Sequence, residues 1–238
     1  IMTLYEVHSA LARNLGDPFK ETSGSTIYDG VRYSKEARKS YLYRASCSII
    51  NEVVTQLAQL PQEQAAFILT KIFPSLISTL NTDAIGTSDT IVQYNFYDIG
   101  YNPDSIGIAC ILNAYLFEND SVGYLPVPLL DTHRARKITS ISSRRQMNDP
   151  IAWVEQSYNY SPTNAFRIAV NGGAMDMSTY QLGISFIRYP LNQALTDGTL
   201  GFDFETSYMN TVLNKATLYG MTDGGDLTPE QILPLLAK

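Results

Sequence analysis

The chain has 238 residues, 45% hydrophobic and 17% charged, a balance that fits a folded globular protein and excludes disordered and fibrous classes. Its net charge of -6 argues against non-specific nucleic-acid binding by the surface as a whole. Two cysteines, Cys47 and Cys110, lie too far apart for a zinc ribbon and are too few for a disulfide scaffold. No run reaches the roughly 18 apolar residues of a membrane span, and the first residues lack the basic region and apolar run of a signal peptide, so a cytoplasmic product is expected.

Leu4, Val7, His8, Leu11 and Leu15 recur at helical spacing behind Thr3 as N-cap, and Gly16-Asp17-Pro18 ends this first helix. A Ser-, Thr- and Gly-rich loop over 20–30 leads to Ser34, the expected N-cap of a second helix that buries Leu42, Ala45, Ile49, Ile50, Val53, Leu57 and Leu60 on one side. Pro61 opens a third helical pattern with Phe67, Ile68, Ile72 and Phe73, which Pro74 kinks or breaks before 75–80. The character then changes. Segments 90–97, 106–117, 137–142, 165–170 and 180–189 are β-branched and aromatic-rich, with 106–117 equally consistent with a strand or a buried helix. Gly172-Gly173 reads as a hairpin turn between two of them.

After Pro190 the helical pattern returns, with Phe204, Tyr208, Met209, Val212, Leu213, Ala216 and Tyr219 on one face and Gly220 placed to end it. A Gly224-Gly225 linker precedes Thr228-Pro229-Glu230-Gln231, a capping-box start for a short apolar tail that includes Leu227, Ile232, Leu233, Leu235 and Leu236. Such a tail is too short to bury itself and is expected to dock on its own body or on a neighbouring subunit.

The bases are concentrated in two places. Residues 32–44 hold Arg32, Lys35, Arg38, Lys39 and Arg44 against Glu36, and 132–148 hold Arg134, Arg136, Lys137, Arg144 and Arg145 with one acid-free surround until Asp149. Long cationic side chains in a loop can contact phosphate or an acidic neighbour without reading sequence. Chemistry is harder to find. No phosphate loop, zinc-protease, nucleophile-elbow or dinucleotide motif is present. The two histidines, His8 on an apolar helix face and His133 beside Arg134, read as packing and surface residues. Asp203 and Glu205 read as acids complementing a helix dipole, and no catalytic residue, cofactor or metal is assigned.

Four short words carry a resemblance: Leu15-Gly16-Asp17, Tyr33-Ser34, Tyr41-Leu42-Tyr43-Arg44-Ala45, and Ile187-Arg188-Tyr189-Pro190-Leu191. With the order of elements they resemble the head-to-tail connector adaptors of tailed bacteriophages, and the segment from Pro61 to Glu118 resembles an elaboration found in ring proteins of crAss-like phages. The resemblance implies an α+β fold, a helical bundle of N- and C-terminal helices with a β-rich insertion. Its divisions are 1–89 (helical), 90–200 (β-rich), 201–221 (returning helix) and 222–238 (linker and docking tail). It further implies a non-enzymatic virion protein, made in the bacterial cytoplasm, that assembles as a homo-oligomeric, expectedly dodecameric ring beneath the portal protein.

Such a ring would extend the DNA channel, touch packaged DNA non-specifically and dock other neck or tail proteins, without membrane contact. Arg134, Arg136, Lys137, Arg144 and Arg145 are the expected channel or acidic-partner contacts, and the tail the expected link to portal or neighbour. Adaptors usually carry apolar residues where Arg38 and Lys39 stand, so this turn is expected to protrude and meet a partner. The competing reading is a carbohydrate- or receptor-binding β-module of a virion, favoured by sixteen tyrosines and the β-rich middle.

Overall fold

A computed structural model describes residues 2–19, 26–84, 91–95, 107–118, 123–130, 134–135, 149–156, 166–173, 175–191 and 197–224. The fold is α+β, and the chain divides into two compact units. One comprises Ile1–Leu57, Phe73–Leu76 and Tyr189–Lys238, and the other Ala58–Ile72 and Ile77–Arg188.

In the first unit, helix α1 (Leu4–Asn14) opens with a capping box: Thr3 Oγ1 accepts from the Glu6 amide at 3.2 Å, and Glu6 accepts from the Thr3 amide at 2.7 Å. The helix ends at the Leu-Gly-Asp word. Gly16 turns left-handed at φ 67°, and the Gly16 and Asp17 amides donate to the Arg13 and Ala12 carbonyls at 3.0 and 2.9 Å, a Schellman closure that glycine enters without strain.

That closure fixes Asp17, 5% exposed, beneath the next turn. Its carboxylate accepts the amide hydrogens of Val31, Arg32 and Tyr33 at 2.8, 2.9 and 2.8 Å. Asp29 accepts from the Lys35 amide at 2.7 Å, and Ser34 caps helix α2 (Lys35–Leu57) by accepting from the Ala37 amide at 3.1 Å. Arg38 does not protrude toward a partner as expected; it is fully buried. Its guanidinium donates to the Tyr33 carbonyl at 2.9 Å and to the Tyr28 carbonyl, and lies 5.0 Å from the centre of the Phe19 ring. The turn points carbonyls inward, and a planar donor set on the first turn of α2 reaches two of them at once.

The last described helix, α4 (Met209–Asp223), buries the predicted stripe of Met209, Val212, Leu213 and Ala216. Gly220 does not end it. The helix continues to Asp223 with Gly224 at the C-cap, and Gly220 is where α4 meets its neighbours: a Cβ there would stand 2.7 Å from Leu15 Cδ2 and 3.3 Å from Tyr41 Cε2. Tyr33 Oη donates to the Gly220 carbonyl at 3.2 Å, and the Tyr33 and Tyr41 rings meet edge to face. On α2 the predicted face is buried through Ile50, while Val53 and Leu57 are half-buried and Leu60 lies beyond the helix, exposed.

The second unit contains helix α3 (Gln62–Ile72) and two antiparallel-rich sheets. The strands are β1 (Ile77–Ala84), β2 (Ile91–Asn95), β3 (Ile108–Glu118), β4 (Tyr124–Val127), β5 (Leu129–Leu130), β6 (Ile151–Gln156), β7 (Phe166–Asn171) and β8 (Tyr180–Arg188). One sheet has the order β1-β8-β3-β4 and the other β2-β7-β6-β5. Alternation then does its usual work: Ala114, Leu116, Leu182, Ile184 and Phe186 from the first sheet and Ala152, Ile168 and Val170 from the second share one buried cluster, so the sheets stack.

Several expectations change here. Pro74 breaks the helical pattern, and residues 75–80, within the expected helical division 1–89, form a short 3-10 turn and the start of β1, because β8 supplies a ladder running from Ile77↔Ile187 to Asn81↔Gly183. Residues 106–117 resolve as strand β3. Helix α3 buries Ala66 and Leu69, leaving Phe67 64% exposed beneath the Lys71 ammonium. Gly172-Gly173 is a turn but not a hairpin, since it carries the chain from β7 in one sheet to β8 in the other. The expected strand at 137–142 lies outside the described residues.

Asp17→Ala orphans three amides and removes the larger of the two carboxylate charges, Asp17 and Asp29, that offset Arg38. It should lower unfolding free energy by about 3–5 kcal/mol, read from urea denaturation at neutral pH.

Candidate interaction surfaces

Positive charge enters the second unit at Arg134, which is exposed next to fully buried Ala135. Ala135 packs with Ile151, Trp153 and Ala169, so Arg134 and Ala135 are fastened to the outer side of the β6–β7 pair. Arg136, Lys137, Arg144, Arg145 and His133 lie outside the described residues, as do the tail residues Leu227, Ile232, Leu233, Leu235 and Leu236. Lys39 is half-buried on the wall of a cavity of about 30 Å³ that it shares with His8, Leu42, Ser46, Leu191 and Asp203.

On the first unit, α2 and α4 present a shallow polar groove of about 700 Å³ lined by Tyr43, Arg44, Cys47, Asn51, Glu52 and Tyr219 among others. Arg44 pairs with Asp223 at 3.1 Å and lies over the Tyr219 ring at 4.6 Å, while Lys215 pairs with Glu52. Exposed pairs of this kind contribute about 0–1 kcal/mol each, so they align α4 on α2 more than they stabilise it. Burial pushes the Cys47 thiol above its ordinary pKa, which keeps it protonated and unreactive at neutral pH.

The acids Asp203 and Glu205 serve the backbone. Asp203 accepts from the Leu191 amide at 2.6 Å and Glu205 from the Ser75 amide at 2.7 Å, so each ties a distant strand or turn end to the approach of α4. Glu205 makes no side-chain capping bond to the helical turn it precedes, so the expected dipole role gives way to a bridging one. Among the described residues no group of three or more His, Cys, Asp or Glu side chains is placed to hold a metal ion.

A second groove, of about 730 Å³, lies on the second unit. It is lined by Pro61, Gln62 and Glu63 at the start of α3 and by Asn113, Tyr115, Tyr124, Pro126 and Ser185, with Leu112, Leu129 and Leu130 adding apolar surface. Gln62 Nε2 donates to the Ile111 carbonyl at 3.0 Å, which holds the start of α3 against β3. Tyr115 extends across β8 at Gly183, where a Cβ would stand only 2.1 Å from its Cε2, and its Oη donates to Asn81 Oδ1 at 3.2 Å. Tyr124, 70% exposed, stands at 89° to Tyr115 with ring centres 5.3 Å apart. Sequence reasoning missed this site because its members come from three strands and a helix start; the only signal was the surplus of tyrosine.

No protein-family model matches the chain, and no curated protein matches its sequence significantly. No described helix is long and apolar enough to cross a membrane.

His8 is 1% exposed, and its Nδ1 has no hydrogen-bond partner among the described residues. Burial first, then the positive charges of Arg38 and Lys39, lower its pKa from 6.5 to about 3. Asp17 titrates low as well: burial alone would raise it, but the amides of Tyr33, Arg32 and Val31 and the charge of Arg38 outweigh that. Both folded pKa values are depressed, so the stability each contributes is whole above its unfolded pKa and lost as pH falls toward the folded value.

For His8 the window runs from pH 6.5 down to about 3. The expected loss is about 1.4 kcal/mol per pH unit across it. Denaturant melts from neutral pH to about pH 4.5 should show this slope, and His8→Leu should flatten it.

Proposed function

We propose that this chain is a virion structural protein of the head-to-tail connector class: a helical bundle closed by both ends of the chain, carrying a β-rich insertion, assembled as a ring beneath the portal. The observation that carries the reading is that three short words near the start of the chain meet around Gly220, a residue of the last described helix. Leu15 packs on Gly220, Asp17 anchors the turn bearing Tyr33, Tyr33 Oη bonds the Gly220 carbonyl, and Tyr41 packs on both Tyr33 and Gly220. Three of the four words that carry the resemblance thus pack together at Gly220, which supports this reading. Pro190 is buried and Leu191 is bonded to Asp203 within the same unit.

In this reading the protein works by position. The bundle forms the ring wall and the tail from Leu227 to Lys238 reaches the portal or a neighbour. The basic loop that begins at Arg134 faces packaged DNA or an acidic ring, where its contacts would be sequence-independent and salt-sensitive. Arg38 takes no part in such contacts, being committed to the turn above it. Assembly into a closed ring suits a protein whose mechanism is geometry and not turnover.

The copy number per particle tests this. Quantitative mass spectrometry of DNA-filled particles from the source should find about a dozen copies, the number that the dodecameric ring implied by the resemblance would give. Hundreds of copies per particle, or none, would overturn the connector assignment.

A further inference from the structure

We propose that the groove between the start of α3 and the Tyr115–Tyr124 pair on the second unit is a binding site for a short neutral oligosaccharide. Three features of the groove lead there. The first is a fixed aromatic surface. Tyr115 is held across Gly183 by the bond to Asn81, in a space that even one methyl group would take, and Tyr124 rises at a right angle from it. One ring is thus a floor and the other a wall, a corner that accepts the apolar C–H face of a pyranose ring in van der Waals contact.

The second feature is the kind of polar group that surrounds this corner. Sugar hydroxyls each donate and accept, and side-chain amides and carboxylates answer them with donors and acceptors at fixed spacing. Asn113 uses one amide hydrogen on Ser185 Oγ at 3.4 Å, which leaves its Oδ1 and a second hydrogen. Gln62 uses its Nε2 on the backbone of β3, which leaves Oε1, and exposed Glu63 adds a carboxylate. The volume of about 730 Å³ falls within the roughly 300–1,000 Å³ of small-ligand sites.

The third is charge. Glu63 is the only residue charged at neutral pH among the described residues lining the groove, so acidic sugars are disfavoured and neutral ones selected. A proline-rich peptide also seeks aromatic grooves, but the polar side chains of Asn113, Ser185 and Gln62 in the lining suit hydroxyls better than a donor-poor peptide.

This site does not rest on the connector assignment, since either can fail alone. The test is an array of neutral glucan, mannan, galactan and chitin fragments, with acidic glycans and a proline-rich peptide beside them, probed with the full chain and followed by calorimetric titration of the best binder. A subset should bind, Tyr124→Ala should weaken it about tenfold, and Tyr124→Phe should retain most of the affinity, with the melting temperature unchanged in both variants. Asn113→Ala should weaken the same ligand. The proposal is overturned if no array member binds, if Tyr124→Ala binds as well as the parent, or if acidic glycans or a proline-rich peptide are preferred over every neutral glycan.

Discussion

A carboxylate removed from water costs several kcal/mol unless hydrogen bonds replace its hydration. At Asp17 three successive amides do so, and that arrangement sets the course of the chain at both ends. The left-handed turn at Gly16 brings Asp17 into place, Asp17 shapes residues 31–33, and their shape decides where α2 begins and where Tyr33 points. Tyr33 then reaches Gly220 on α4, so a bond made near the N-terminus positions a helix some two hundred residues later. Arg38 completes the set by answering the carbonyls that the turn directs inward.

Much of this was legible in the sequence wherever a local rule governs. Thr3, Gly16 and Ser34 act as the capping rules require, and the faces of α1 and α4 follow the helical period. What escaped depends on partners distant in sequence. Arg38 looks like a surface residue until the turn carbonyls it serves are known. Gly220 looks like a helix stop until Leu15 and Tyr41 are seen against it. Ile77 to Leu80 follows a helix and shares its apolar spacing, yet pairing with β8 decides for strand. The face of α3 was misjudged because Phe67 is the larger residue, whereas Ala66 and Leu69 fit the close approach to β3.

The interaction surfaces divide in the same way. The basic run around Arg134 is visible to simple counting, while the Tyr115–Tyr124 groove needs the register that sets Tyr115 opposite Gly183 and Phe117 opposite Tyr124. A glycine in a central strand ordinarily weakens it. Here the lost side chain is replaced by the Tyr115 ring, so the strand keeps its cover and the outer face gains a flat aromatic surface. The two units thus offer different things: one packs α1 and α4 against α2, and the other displays side chains on the strands of two stacked sheets.

If the Asp17-anchored turn belongs to the cooperative core of the helical unit, native-state amide hydrogen exchange will report it. The Val31, Arg32 and Tyr33 amides should then exchange only with global unfolding, at the same free energy as the amides of Ala45 and Ile49 in α2. Exchange of those three amides at rates near those of an unprotected loop, with α2 still protected, would contradict it.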